Sequence, residues 1–419
     1  MAYVRESQPD CPGGPARDGS RAALVTEPPS LVPSPRGSLR EVAWLFLRIG
    51  ATSFGGPAAH IAFMENEVVR RRGWLTHAEF LDLLGAVNLI PGPNSTELAI
   101  HIGHRRAGWP GLLTAGLCFI VPAALIVALI AWAYVRFGSL PQATGVLSGI
   151  KPVIIAVIVQ ALFGFGRAAL KNLPAIVIGA AALVAGFLGA NELVILLGGG
   201  IVMLLCQRLQ RTAVGRAAAW PWALGLPAAL GSKLVPVGAA LTAPVGMWPL
   251  FWFFAKVGSV LFGSGYVLLA FLRADLVERL HWLTQAQLLD AIAVGQFTPG
   301  PVFTTATFIG VVLGGATGAL VATAGIFLPA FVFVALSAPI VPRLRRSPAA
   351  GAVLDGINVA SLAIMAAATF GLGAAAITGW GTLALSLVSL GLLVRLRLNS
   401  AWLVLGGAAL GWLSQRWGF

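Results

Sequence analysis

The stretch Asn88-Leu-Ile-Pro-Gly-Pro-Asn94 returns in pattern as Gln296-Phe-Thr-Pro-Gly-Pro-Val302. Proline lacks a backbone N–H and clashes with the carbonyl four residues back, and glycine frees the backbone further. Neither Pro91-Gly92-Pro93 nor Pro299-Gly300-Pro301 can therefore sit in an unbroken helix, yet both interrupt long apolar stretches. In lipid, backbone groups freed by such a break must be satisfied by protein, ions or cavity water. Paired breaks at matching positions of two halves are the sequence mark of a transporter's binding site.

The composition around the breaks is that of a membrane protein. Of the 419 residues, 58% are hydrophobic and 10% charged, against about 25% charged in soluble domains; the mean hydropathy is +0.86. Apolar runs such as Leu112–Tyr134, Leu173–Leu188, Gly310–Ile340 and Val359–Ile377 approach or exceed the roughly 20 residues that span a bilayer. The net charge of +13 does not indicate nucleic acid, because the basic residues sit in short loops between apolar runs and read as topology signals. Cys11, Cys118 and Cys206 are scattered and suggest neither a disulfide framework nor a metal site.

Residue 91 corresponds to residue 299, and the same offset of 208 aligns Arg48-Ile-Gly50 with Lys256-Val-Gly258, Phe54-Gly55 with Phe262-Gly263, Trp74-Leu75-Thr76 with Trp282-Leu283-Thr284, and Asp82 with Asp290. One residue fewer aligns Gly103 with Gly310, Gly111 with Gly318 and Pro122 with Pro329. So many matches in order indicate two homologous halves. The expected organisation is a polar, disordered tail over 1–40, transmembrane halves over 41–207 and 248–416, and a linker over 208–247. The fold class expected is an all-α polytopic membrane protein. If each broken segment enters the membrane and returns on one side, Arg70-Arg71-Arg72, Arg105-Arg106 and Arg343/Arg345/Arg346 share a side. The Arg273–Arg279 loop then lies opposite, and the halves are inverted. The positive-inside bias makes the charged side cytoplasmic.

Two clusters can carry chemistry. In the first, Arg48 and Lys256 each precede a Gly-rich turn, Gly55-Gly56 and Gly263-Ser264. Cations at such depth are costly unless they serve a function or snorkel to the headgroups, and Gly-rich turns can present N–H groups to an anion. In the second, neutral donors flank the breaks: Asn88, Asn94 and Ser95 at one, Gln296 and Thr304 at the other. Glu97 is the acid just after the first break. It can carry a proton, pair with a base, or cap the following helix. His60 is a second proton carrier by residue type; an interfacial or hydrogen-bonded role is the alternative for it and for His101. Glu65 and Glu67 read as interfacial charges. No nucleotide-binding, serine-hydrolase or zinc-protease motif occurs, which leaves secondary transport. A membrane-embedded enzyme on a lipid, with Glu97, His60 and His101 as acid–base groups, is the reading from another class.

Phe54-Gly-Gly-Pro-Ala-Ala-His-Ile61, Met64-Glu-Asn-Glu-Val-Val-Arg70 with Trp74-Leu75, and Asn88-Leu-Ile-Pro-Gly-Pro-Asn-Ser-Thr96 resemble the chromate ion transporter (CHR) family in its long, two-half form. Phe262-Gly-Ser-Gly-Tyr266 and Gln296-Phe-Thr-Pro-Gly-Pro301 carry the resemblance in the second half. The resemblance implies export of chromate across a bacterial inner membrane, chromate resistance, and a membrane potential or proton gradient as the driving force, with sulfate as a competing anion. A sulfate or other oxyanion carrier of the same architecture is the alternative. No cofactor or metal is expected. The partners are the anion and the lipid bilayer, and a homo-oligomer stays open.

Overall fold

A computed structural model describes residues 38–54, 56–138, 141–213, 246–262, 267–345, 347–396, 398 and 400–417. Most of the expected tail and linker lies outside them. All regular structure among the described residues is helical, and five helices are long and apolar enough to cross a membrane. Large apolar side chains such as Leu125, Leu129, Trp132, Leu320 and Trp402 point outward. An apolar exterior of this extent is suited to lipid rather than water. The chain is a multi-pass membrane protein of two repeated helical halves.

The first half runs α1 (Leu39–Thr52), α2 (Gly56–Glu65) continuing into a π-helical turn (Asn66–Arg71), α3 (His77–Val87), α4 (Asn94–Phe137), α5 (Pro141–Ala169), α6 (Leu173–Phe187) and α7 (Glu192–Ala213). The second repeats it as α8 (Met247–Val260), α9 (Leu268–Leu272) with a π-helical turn (Arg273–Arg279), α10 (Gln285–Phe297), α11 (Thr305–Arg345), α12 (Pro348–Ala376), α13 (Trp380–Leu396) and α14 (Ser400–Trp417). The repeat extends to local devices. Thr76 with Glu79 and Thr284 with Gln287 form capping boxes at the starts of α3 and α10, satisfying two orphan N–H groups each. Gly73 and His281, repeat mates, both have positive φ.

α4 is two helical arms rather than one rod. The backbone leaves helical geometry at Ala107 and Gly108, and α11 does the same at Gly314 and Gly315. An added Cβ on Gly103 would strike the Gly111 carbonyl and the Ala115 side chain, so the arms 94–106 and 109–137 fold back on each other; Gly310 and Gly318 meet in the same way. α3, with 11 residues, is about 16 Å long, too short for a hydrocarbon core of about 30 Å.

The two halves interlock. α1 packs on α4, and α8 on α11, but α5 packs mainly on α14 and α13 while α12 packs on α7 and α6. Glycines allow the close crossings: Gly149 lies against Gly407 and Gly411, and Gly356 against Gly199, as small residues do where helices meet in lipid. The two breaks lie within this shared interior.

Candidate functional site

Each break docks on the other half. The Gly92 N–H donates to the Leu261 carbonyl (2.7 Å), and the Gly300 N–H donates to the Ser53 carbonyl (3.0 Å). Ser53 and Leu261 are repeat mates that end α1 and α8, so the contacts are reciprocal and mark a pseudo-two-fold relation. Gly92 and Gly300 have φ of 141° and 88°, which L-residues rarely adopt. A Cβ on Gly300 would meet Ala123 and the Gly50 carbonyl, and one on Gly92 would meet the Glu97 carboxylate. The fold thus brings Pro91-Gly92-Pro93 beside Leu261, and Gly300 beside Gly50 and Ser53. Gly56 opens α2 with φ 77°. Gly55, Gly263 and Ser264 lie outside the described residues.

Beside the first break is a cavity of about 310 Å³, whose lining includes Asn88, Asn94, Lys171, Asn172, Phe262, Asp355, Asn358 and Ser361. Asn94 Nδ2 donates to Asn88 Oδ1 across the break (2.9 Å). At the α5–α6 corner, Asn172 Oδ1 accepts from Ala175 N–H and so caps α6. Ser361, on α12, is 2% exposed, and its Oγ has no hydrogen-bond partner. Asn88 and Asn94 were expected here from their place at the break. Lys171, Asn172, Asn358 and Ser361 were not; no local motif in the sequence links them to a break in another element.

The second break is closed. Gln296 and Thr298 are buried, and Thr304 and Thr305 are fully so; the threonine hydroxyls donate to the Pro301 and Val302 carbonyls. Next to it on α10, Asp290 pairs with Lys151 of α5 (3.1 Å) and accepts from Tyr134 Oη (3.0 Å).

The two expected cations are paired. Arg48 binds Glu67, which also meets Arg71 (2.9 Å) and Arg72 (3.4 Å). Lys256 binds Asp275 (2.7 Å), which also meets Arg279 (2.9 Å). Glu67 corresponds to Asp275, and Arg71 to Arg279, so the cluster is itself a repeat. Glu67 is 3% exposed, which corrects its reading as an interfacial charge: the π-helical turn carries it inward against α1. Comparing acids as well as bases at the offset of 208 would have found the pair.

Glu97 is fully buried in the first turn of α4, and both its oxygens lack hydrogen-bond partners. It does not cap the helix by a hydrogen bond. Ser95 and Thr96 beside it are buried. His60 Nε2 meets the Ser53 carbonyl (3.1 Å), and its ring stands edge-on to Phe119. Among the described residues no group of His, Cys, Asp and Glu is arranged to hold a metal ion.

A family model described as chromate transporter matches residues 40–204 and again 248–412. The chromate transport protein of Cupriavidus metallidurans is 32% identical over 383 residues, covering 90% of this chain and 93% of that protein. The chromate transport protein of Pseudomonas aeruginosa is 31% identical over 381 residues, covering 88% and 90%. No solved structure matches the chain. With one family model matched twice, once on each half of this breaker-centred architecture, the chain belongs to the chromate transporter family.

Proposed function

We propose that this chain is a secondary transporter that exports chromate from the cytoplasm across the inner membrane and so confers chromate resistance. The observation that carries the reading is the break that opens on a cavity with polar groups in its lining: Asn88 and Asn94 line a space walled by both halves. The relatives named as chromate transport proteins supply the substrate. Neutral donors hold a tetrahedral oxyanion without trapping it, and sulfate offers the same acceptor oxygens, so sulfate competes. Export of a dianion from an inside-negative cell gains about 4.6 kcal/mol per 100 mV; the voltage alone can drive it.

Glu97 and His60 are the groups through which a proton gradient would couple. Glu97 is fully buried without a hydrogen-bond partner, so exchange of a proton at its carboxyl requires the break to open. In inside-out vesicles, chromate uptake is expected under an interior-positive voltage, with sulfate inhibiting. Glu97→Gln is expected to keep voltage-driven uptake and lose any component driven by a pH gradient. Absence of uptake under every gradient would reject the transport reading.

The short α3 and α10, each ending at a break, are read as re-entrant, and the pseudo-two-fold as an inverted repeat lying in the membrane plane. In a background lacking the native cysteines, Arg71→Cys and Arg279→Cys should react with impermeant thiol reagents from opposite faces. Labelling from one face would exclude the inversion.

A further inference from the structure

Residues lining the cavity at the first break have repeat mates at the second, and the two positions are built differently. α5 and α12 correspond at an offset of 207, so Lys151 is the mate of Asn358 and Ile154 that of Ser361. Asn88 corresponds to Gln296, and Asn94 to Val302. At the mate position the lysine is already paired: Lys151 holds Asp290, and Tyr134 donates to the other carboxylate oxygen, while the buried Gln296 Nε2 has no hydrogen-bond partner. Gln296 and Val302 are 8% and 5% exposed. At the first position Asn88 and Asn94 bond each other, but Lys171 forms no ion pair with any described residue, and the buried Ser361 Oγ has no partner. Leaving a buried polar atom unpaired costs stability, and at the first position that atom lines a cavity together with a lysine that has no ion pair.

Building on the transport reading above, we propose that each chain binds one tetrahedral oxyanion, in this cavity. Lys171 supplies the charge, and Asn88, Asn94, Asn172, Asn358 and Ser361 supply neutral donors. In the second half the Asp290 carboxylate takes the place of the anion and is held permanently by Lys151. The volume of about 310 Å³ lies at the lower edge of small-molecule sites, about 300–1,000 Å³. Asp355 also lines the cavity and repels a dianion there. Its charge keeps binding weak enough for release, which a carrier needs as much as capture.

Calorimetric titration of the full-length protein in detergent, with chromate and with molybdate as a less oxidising tetrahedral dianion, tests the site. The expected stoichiometry is one anion per chain. Lys171→Gln should weaken binding at least about tenfold, the loss of one charged hydrogen bond. Asp355→Asn should tighten binding several-fold, a gain that misfolding does not produce. The double variant Lys151→Gln/Asp290→Asn, which removes both charges of the mate, should bind within about twofold of wild type. Two anions per chain, or a Kd indifferent to both Lys171→Gln and Asp355→Asn, overturns the proposal. Chromate flux in vesicles together with that indifference overturns this site alone; wild-type protein that neither carries nor binds chromate overturns the transport reading with it.

Discussion

Gly300→Val is expected to abolish chromate uptake and to leave little folded protein in mild detergent. Gly300 has φ 88°, where a β-branched residue is a strong outlier; the backbone term alone is about 1–2 kcal/mol. The added side chain would also meet Ala123 and the Gly50 carbonyl, an overpacking worth about 1–3 kcal/mol more. The carbonyl is backbone of the tightly packed α1–α4 contact and has little room to move. The displaced segment would lose the Gly300 N–H bond to Ser53, a backbone bond that ties this break to the opposite half. Gly73 is the control. It too has positive φ, but nothing lies within 4 Å of its added Cβ, and its mate His281 adopts the same conformation. Gly73→Ala should lower stability by only about 1 kcal/mol and retain uptake. The comparison is read by size-exclusion melting curves beside vesicle flux; equal behaviour of the two variants would show that the close approach at Gly300 is unimportant.

Glu67→Ala is expected to destabilise the protein by about 3 kcal/mol, seen as a lower melting midpoint in detergent. Removing the shared carboxylate leaves Arg48, Arg71 and Arg72 facing one another. Breaking a buried pair in this way typically costs about 3–5 kcal/mol, and the lower end applies because the arginines are partly exposed. Asp275→Ala should act likewise through Lys256 and Arg279. Arg48→Ala and Lys256→Ala are the informative contrast. Each leaves its carboxylate with at least one arginine, so the melting midpoint should fall less, while uptake falls strongly if these cations meet the anion during transport. Unchanged uptake in both would assign them to architecture alone.

Much of this was legible in the chain. The offsets of 208 and 207 exposed the repeat, and Pro91 and Pro299 fixed where helices must end, because a missing N–H is a local fact. The place of Asn88 and Asn94 beside the first break is equally local. What the sequence did not carry is which half each element touches. An offset equates Gly92 with Gly300 but does not reveal that each bonds to the turn after the other half's first helix. Lys171 sits in a short basic corner between apolar helices and is indistinguishable there from a topology charge. Only the approach of α12, whose Asn358 and Ser361 lie some 190 residues on, gives it a cavity to face. Glu67 was misread for a related reason: a π-helical turn shifts the side chains that follow it relative to an α-helical count.

The exchange of helix partners between halves has a consequence for how the protein is made. Gly149 of α5 waits for Gly407 and Gly411 of α14, which leave the ribosome more than 250 residues later. At translation speeds of about 5–20 residues per second, that is a delay of roughly 13–50 s. Through this interval the Gly-lined face of α5 stands in the bilayer without its partner. The amino-terminal half is therefore a late-maturing unit despite being synthesised first, and quality control in the membrane has a long window in which to act on it.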